Sequence, residues 1–304
     1  LSGMSEKTTQ SSLDVPVVRV FTAGNAAPIG GNPAPVWLDA DGLTTQQMQA
    51  LARASGHEAV FVCRPADDMH RWRMRYFVPA HEMEMCGHAT IAALWMLHAQ
   101  GRWDGSAVAI DTLGGTVTGR KAGDWIQISQ PPASIEVLDA RHTDAIAGCL
   151  GIARERIIGP CLNASTSRPK TLIRLRSPED VQTLDIQADQ VEALCEQIGS
   201  TGLYPYAVAT EQGGGAEYTA RQFPKRSGYV EDPATGIAAT ALAWGLRHLG
   251  LVDGQARPVT IRQAEAMGSP SRIVVSLPAA GESGQPCWVG GDVALDGVVR
   301  AAQH

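Results

Sequence analysis

The sequence predicts an α+β protein made of two pseudo-symmetric domains, each a mixed, largely antiparallel sheet curled around a central helix. Two observations predict this fold class. First, segments 87–97 and 236–246 each open at a glycine and are apolar on nearly every face, which is typical of a helix buried in the middle of a domain. Second, strand-like segments surround both helices without the regular strand–helix alternation of a parallel sheet.

The two apolar segments match each other at a constant offset of 149 residues (236 − 87). The matching pairs are Gly87/Gly236, Ala89/Ala238, Ala92/Ala241, Trp95/Trp244, Leu97/Leu246 and Gly101/Gly250. Upstream of them, Arg75-Tyr76-Phe77 matches Arg221-Gln222-Phe223. Alanine-rich helices often match by accident, but the added Arg-x-Phe strands favour an internal duplication. We therefore expect two related halves, each aiming the N-terminus of one buried helix at a shared cleft.

The composition is that of an ordinary folded protein. The chain has 304 residues, enough for two domains of about 150 residues each, and is 44% hydrophobic and 18% charged. Its net charge of −6 comes without any basic run, so no nucleic-acid partner is expected. No apolar run reaches the length of a membrane span, and segment 4–10 is polar without a signal-peptide pattern. Together with six cysteines that lack CxxC pairs, this predicts a reduced, cytoplasmic protein with no membrane partner.

The first half reads as strands around one capped surface helix and one buried helix. The valine-rich first strand is followed by a Gly/Pro/Asn-rich loop at 22–35, and Thr44 can cap a helix that runs to residue 54. Alternating polarity marks a later strand, and glycines separate the last three into hairpins. The predicted strands are 15–21, 36–38, 58–63, 71–77, 107–112, 116–120 and 125–129.

The second half repeats the sequence of element types after Gln130-Pro131-Pro132, a plausible crossover. Helices are predicted at 143–150 and 188–197, in addition to the second buried helix. The predicted strands are 171–175, 206–210, 218–223, 259–262, 272–276 and 288–294.

Three ionisable residues stand where chemistry is expected. Glu58 lies at the edge of an apolar strand, where partial burial would raise its pKa and let it take and return a proton near neutral pH. His88 lies in the first turn of a buried helix, where the helix dipole favours a neutral imidazole. Asp232 precedes Pro233 and is therefore extended at the entrance to the second helix. The residues alone also allow a solvated glutamate, a structural histidine and a capping aspartate.

The first turns of the two buried helices are candidate anion sites. The backbone N–H groups around Gly87 and around Gly236-Ile237 have no partner within their helices, and a carboxylate or phosphate is their natural ligand. A metal site is not predicted, because His81, Cys86 and His88 lack a spacing such as His-x-x-x-His and no HExxH motif is present.

Several motifs, in this order, resemble the phenazine-biosynthesis (PhzF-like) family, which has the diaminopimelate-epimerase-like fold. They are Gly31-Asn32-Pro33-Ala34, Glu58-Ala59-Val60-Phe61, Cys86-Gly87-His88-Ala89-Thr90, the stretch 165–170, Glu231-Asp232-Pro233-Ala234-Thr235-Gly236 and the stretch 263–271. The resemblance covers about 17–298, nearly the whole chain.

The resemblance implies a cofactor-independent isomerase that moves a proton along a small amino or carboxylic acid. It implies that Glu58 carries the proton, assisted by His88 and Asp232. It places a small-molecule carboxylate substrate next to five further residues, which are Asn32, Gly87, Ser165, Gly236 and Ile237. Homodimers are common in the family, so a homodimer is expected.

The resemblance also implies domain boundaries. The first domain is expected at 15–130 plus about 287–300, because the C-terminal strand of the family crosses back into the first domain. The second domain is expected at 131–286, and residues 1–14 are expected to be disordered.

Two positions depart from the family pattern. Ile237 stands where a small hydroxyl residue is usual, and Gly56-His57 precede the glutamate where a serine is usual. Both changes bear on the identity of the substrate more than on the chemistry.

Two other functions remain open from the sequence. A racemase or epimerase could use Glu58 and Cys86 on opposite faces of a substrate, because a thiol at a helix N-terminus becomes more acidic. The second turn, 232–236, contains no matching cysteine, which argues against a two-cysteine mechanism. Alternatively, the chain could be a binding protein that kept the fold and lost turnover.

Overall fold

The computed structural model describes residues 12–24, 30–212, 215–253, 258–282 and 284–302, and these contain six α-helices. The helices are α1 (Thr45–Ser55), α2 (Gly87–Ala99), α3 (Ala140–Cys149), α4 (Pro178–Gln182), α5 (Val191–Ile198) and α6 (Gly236–His248). Thr44 caps α1 as predicted: its side chain accepts from the N–H of Gln47, whose side chain accepts in return from the N–H of Thr44. Among the described residues, no helix is both long enough and apolar enough to cross a bilayer.

The two buried helices, α2 and α6, confirm the predicted pair. Each has 13 residues and begins at the predicted glycine. Leu94 of α2 and Leu242 of α6 are both fully buried and belong to the same hydrophobic cluster. The two halves therefore share one continuous core, with a helix from each half in it.

Strands make up most of the remainder. Those of the first half are β1 (Ser12–Thr22), β2 (Asn32–Trp37), β3 (Ala59–Cys63), β4 (Trp72–Phe77), β5 (Glu82–Met83), β6 (Val108–Thr112), β7 (Gly115–Ala122) and β8 (Trp125–Gln130). The others are β9 (Ser134–Val137), β10 (Leu162–Ser165), β11 (Pro169–Arg174), β12 (Gly202–Gln212), β13 (Gly215–Ala220), β14 (Phe223–Pro224), β15 (Val259–Gln263), β16 (Ser271–Ser276) and β17 (Cys287–Ala302).

The strand pairing repeats from one half to the other. In the order β1-β2-β3-β4-β6-β7-β8, the successive pairs are antiparallel, parallel, antiparallel, parallel, antiparallel and antiparallel. The order β10-β11-β12-β13-β15-β16-β17 has the same succession. Helix α2 lies between β5 and β6, and α6 lies between β14 and β15, which is the equivalent place. The internal duplication predicted from the helices thus extends to the whole topology.

The last strand, β17, joins the two halves. Its first residues pair with β8 on one side (Cys287↔Gln130) and with β16 on the other (Val289↔Val275). Its later residues pair with β1, as far as Ser12↔Ala302. Because β1 and β8 are the outer strands of the first half, β17 closes an eight-stranded ring around α2.

The pairing of β1 with β17 changes one expectation at the N-terminus. Residues 12–14 are predicted to be disordered, but they form the start of β1. Their backbone hydrogen-bond partners lie at the far end of β17, and local sequence patterns do not predict such distant pairing. Residues 1–11 of the same predicted segment lie outside the described residues. The domain boundaries at 130 and 287 stay a prediction.

Candidate active site

Glu58 lies at the turn between α1 and β3. Helix α1 ends at Gly56, whose left-handed backbone (φ 70°) reverses the chain so that Glu58 immediately precedes β3. Its carboxylate Oε2 lies 3.3 Å from Cys86 Sγ, and Oε1 accepts a 3.4 Å hydrogen bond from the Tyr229 hydroxyl. The Glu58 side chain is 21% exposed, so it is shielded but within reach of a small molecule.

The same helix N-terminus supplies Cys86 and His88. Cys86 is the N-cap residue of α2, and its Sγ lies 3.4 Å from His88 Nδ1. That ring nitrogen is in turn 3.6 Å from Glu58 Oε2. Burial lowers the pKa of His88 to about 4, against smaller opposing effects that include the charge of Asp232. At neutral pH the imidazole is therefore uncharged, as the helix position predicted.

The environment of Glu58 raises its pKa. Burial is the main cause; the hydrogen bonds from Cys86 and Tyr229 and the positive charge of Arg168 oppose it. A carboxyl group shifted upward from its usual range can exchange protons with a carbon acid more readily near neutral pH. The Cys86 thiol has a pKa well above its ordinary value, because it is buried and faces Glu58, so it stays protonated.

Asp232 is held by residues from both halves. Asn32, at the start of β2, donates from Nδ2 to Asp232 Oδ1 at 3.2 Å and to the carbonyl of Ala234 at 3.0 Å. The Thr235 hydroxyl donates to Asp232 Oδ2, and Gln263 Nε2 donates to the Asp232 backbone carbonyl at 2.7 Å. The pKa of Asp232 rises to about 6, first because of burial and second because of the nearby negative charge of Glu58. Two acidic groups with raised pKa values thus face one region.

The N-termini of both central helices are free of side-chain caps. Cys86 and Thr235 occupy the N-cap positions, and neither side chain forms a standard cap; of the first-turn N–H groups of α2, that of Ala89 faces the Cys86 sulfur. Their side chains point to Glu58 and Asp232 instead. The other first-turn N–H groups, around Gly87-His88 and Gly236-Ile237, have no partner within their helices and can bind an anion, with the helix dipoles adding to the attraction.

Comparison with known proteins identifies the family of this arrangement. The family model described as phenazine biosynthesis-like protein matches residues 18–294. This chain belongs to the phenazine biosynthesis-like family. The family resemblance seen in the motifs is thereby confirmed.

Among the relatives of this phenazine biosynthesis-like protein is one of Deinococcus radiodurans called an uncharacterized isomerase, with 32% identity over 92% of this chain and 91% of that protein. A trans-2,3-dihydro-3-hydroxyanthranilate isomerase of Pseudomonas aeruginosa has 30% identity over 93% of this chain and 98% of its own length. A PhzF-family phenazine biosynthesis protein of Bacillus anthracis, whose crystal structure is known, superposes with a TM-score of 0.84 at 21% identity and covers 95% of this chain and 99% of that one. This last likeness confirms the epimerase-like fold, and the relatives named as isomerases confirm the isomerase reaction class.

Most residues singled out in the sequence come together in this phenazine biosynthesis-like fold. Glu58 and His88 are neighbours, Asn32 contacts Asp232, and Gly87, Gly236 and Ile237 form the helix entrances. Ser165 is the exception, because none of its described contacts reaches these residues; it ends β10, paired with Ser134 and Pro169. All eight roles stay predictions.

Sequence reasoning missed several residues that shape the site. Tyr229 reaches Glu58 from a loop 171 residues away in sequence. Arg168 donates from Nη2 to the carbonyl of Met85 at 3.4 Å and so reaches the segment before α2. Gln263 also donates to the Thr235 hydroxyl at 3.1 Å and accepts from the Tyr204 hydroxyl at 2.9 Å. Arg168 and Gln263 stand inside motifs noted in the sequence, whereas nothing local distinguishes Tyr229.

Proposed function

We propose that this chain is a cofactor-independent isomerase in which Glu58 moves a proton between two atoms of a small amino or carboxylic acid. One observation carries the proposal: a partly exposed carboxylate with a raised pKa lies 3.6 Å from a buried, neutral imidazole, at the entrance of a buried helix. A group that must both take and return a proton works best when its pKa lies near the working pH.

Each neighbouring group has a part in the proposal. The substrate carboxylate binds at the free N–H groups of α2 and α6, which also stabilise negative charge that develops as the proton leaves carbon. Neutral His88 donates or accepts a hydrogen bond beside the reacting atom. Asp232, whose pKa the charge of Glu58 raises, holds an ammonium group or relays a proton. Asp232 and Glu58 repel each other when both are ionised, so the state in which one of them is protonated is favoured. In that state one group is an acid and the other a base.

The substrate class follows from the charges and from one relative. The Pseudomonas aeruginosa relative is named for a substrate that is a cyclic amino acid, a dihydro-hydroxyanthranilate. A compound with one carboxylate and one amino group fits this site, because the N-termini of α2 and α6 attract the carboxylate and Asp232 attracts the ammonium group. Ile237 offers no hydroxyl to such a ligand; its carbonyl accepts instead from Thr240 at 2.9 Å. We therefore expect a substrate with a different or more apolar group at that point.

The test is exchange of solvent hydrogen into a panel of small amino and carboxylic acids in heavy water, followed by mass spectrometry. We expect deuterium in at least one compound with the wild type and none with Glu58→Gln, while binding of that compound survives. Glu84→Gln, an exposed glutamate two residues before Cys86, is the matched control and should keep exchange. Exchange retained by Glu58→Gln removes Glu58 from the mechanism, and a wild type that binds acids without exchange favours the binding protein.

The oligomeric state and the cellular compartment of the chain also belong to this proposal. We propose a homodimer in the cytoplasm, as the family resemblance implies. Light scattering of the purified chain measures its mass, and a value for one chain at micromolar concentration contradicts the homodimer.

A further inference from the structure

Glu58, Cys86 and His88 bring three different metal-binding atoms to one point. Cys86 Sγ is 3.3 Å from Glu58 Oε2 and 3.4 Å from His88 Nδ1. The third side of the triangle, His88 Nδ1 to Glu58 Oε2, is 3.6 Å. A carboxylate oxygen, a thiol sulfur and an imidazole nitrogen are the three donor types that proteins use for zinc.

These distances suit a tetrahedral ion after shifts of a few tenths of an ångström. Bonds of about 2.0–2.3 Å at tetrahedral angles place two zinc ligands about 3.3–3.6 Å apart. The triangle of Sγ, Nδ1 and Oε2 has nearly these edges, so one point lies about 2 Å from all three atoms. The sequence did not predict these three ligands together. Glu58 lies 28 residues before Cys86, and the Cys-x-His pair alone does not have the spacing of a metal site.

We propose that Glu58, Cys86 and His88 form a three-ligand site for zinc, and that zinc bound there stops the isomerisation. The charges agree with this cation, because one carboxylate and one thiolate neutralise Zn²⁺, and a neutral complex suffers little from burial. Thiolate and imidazole also select zinc over magnesium or calcium. The fourth position of the tetrahedron stays open for water.

Binding requires one deprotonation at Cys86. The S–H bond breaks, the Zn–S bond forms and the proton passes to solvent, as does the Glu58 proton when that carboxyl is protonated. With Oε2 bound to zinc, the Glu58 carboxylate is a much weaker base and does not accept a proton from substrate. The inhibitory part of this inference rests on the proposed function; the binding part does not.

The binding test uses the purified full chain, freed of metal with a chelator. Isothermal titration with ZnCl₂, in two buffers of different ionisation enthalpy, should give one equivalent bound with release of protons. Co²⁺ in place of zinc should give the visible spectrum of a tetrahedral ion and a thiolate-to-cobalt charge-transfer band. Absence of binding, or a bound ion without the charge-transfer band, overturns the site.

Variants locate the ion. Cys86→Ser should abolish the charge-transfer band, and His88→Asn should weaken zinc at least about tenfold, since even outer partners of metal ligands commonly matter by about 10–100-fold. Cys63→Ser is the matched control, because Cys63 is a partly buried cysteine on the strand that follows Glu58 and should leave band and affinity unchanged. Circular dichroism checks the fold of each variant, and Glu58→Gln repeats the affinity measurement if Cys86→Ser does not fold. A charge-transfer band that survives Cys86→Ser, or a zinc affinity unchanged in every ligand variant that folds, overturns the proposal.

Activity is then measured separately, as deuterium exchange with and without zinc. Loss of exchange at one equivalent of zinc, reversed by chelator and weakened in competition with substrate, supports inhibition. Exchange that persists with zinc bound overturns the inhibitory role. A chain that binds zinc at these residues but never exchanges substrate hydrogen contradicts the proposed function and leaves the metal site standing.

Discussion

Cys86 and Thr235 are equivalent residues of the two halves, and each donates a hydrogen to a different carboxylate. Both are N-cap residues of a central helix, and each stands four residues after a glutamate, Glu82 or Glu231. The Cys86 thiol donates to Glu58, 28 residues before it, whereas the Thr235 hydroxyl donates to Asp232, three residues before it. The duplication therefore places a hydrogen-bond donor at the N-cap of both central helices. The carboxylates that accept from these donors, Glu58 and Asp232, do not occupy equivalent positions in the two halves.

The two donors have the same electrostatic effect. Burial raises the pKa of Glu58 and of Asp232, and the hydrogen bonds from Cys86 and Thr235 lower them. Each donor thus opposes the rise in pKa that burial causes at its carboxyl group. Such opposed effects are how a protein tunes a group that must both take and return a proton.

Cys86 either supports Glu58 through a hydrogen bond or acts as the base itself, and the variant Cys86→Ser distinguishes these two roles. Cys86→Ser keeps a donor at the N-cap, so we expect substrate exchange within about tenfold of wild type, equal to about 1.4 kcal/mol. Deuterium incorporation measures it. A loss of several orders of magnitude, with Glu58→Gln still active, would instead support the racemase that uses Cys86 as its base.

The second prediction concerns the ion pairs that precede each central helix. Arg221 donates two hydrogen bonds to Glu231, at 2.9 and 2.8 Å, and also donates to three backbone carbonyls of the segment around α4, at 3.0–3.4 Å. Because both side chains of the pair are only 10–11% exposed, Arg221→Met leaves Glu231 without its partner and should lower the free energy of unfolding by about 3–5 kcal/mol. Urea unfolding at 25 °C measures it.

The equivalent pair of the first half provides the comparison. Arg75 and Glu82 form the same two-point contact, at 2.7 and 2.8 Å, but are 18% and 21% exposed, so Arg75→Met should cost less than Arg221→Met. Arg226→Met is the control, since Arg226 is 67% exposed beside Glu192, and it should change stability by no more than about 0.5 kcal/mol. Equal losses for Arg221→Met and Arg226→Met would show that burial of the pair is irrelevant.

The third prediction is a pH dependence of stability from Lys170. Burial lowers its pKa from 10.5 to about 8, opposed by the charge of Asp232, and its Nζ meets the carbonyl of Thr201 at 3.5 Å. The unfolded chain holds this proton more tightly than the folded chain, so the group destabilises the fold by about 3 kcal/mol below pH 8. That penalty falls as pH rises from about 8 to about 10.

Lys170→Met tests this by removing the titrating group. We expect the variant to be more stable than wild type at pH 7, with a difference that shrinks toward pH 10 in urea titrations. A difference that stays constant across this range contradicts the prediction. The comparison with wild type cancels the titration of tyrosines and of the cysteines other than Cys195, whose pKa the charge of Lys170 lowers.

Local patterns predicted much of the fold. The start of both central helices followed from a glycine opening an apolar run, and α1 followed from Thr44 and the spacing of Met48, Leu51 and Ala52, which are all buried. The position of Glu58 immediately before β3 also followed from the apolar stretch after it. These features depend on residues a few positions apart, whose preferences act within one element.

Long-range pairing was not predictable in the same way. The strand expected at 288–294 runs from Cys287 to Ala302, because the later half of this strand pairs with β1. The short strands β5 and β14 exist only because they lie against β4 and β12. Likewise, Tyr229 reaches Glu58 through the position of its loop, and an exposed tyrosine has no local signal for such a contact.

By itself, the sequence determined the two buried helices, their repetition and the family motifs, since hydrophobic periodicity and glycine positions act locally. Only the tertiary structure decided that Cys86 and His88 face Glu58, that Asn32 holds Asp232, and that β17 joins the halves. The physical reason is that these contacts join atoms far apart along the chain, and their energies depend on burial and distance, which exist only once the sheets have closed around the helices.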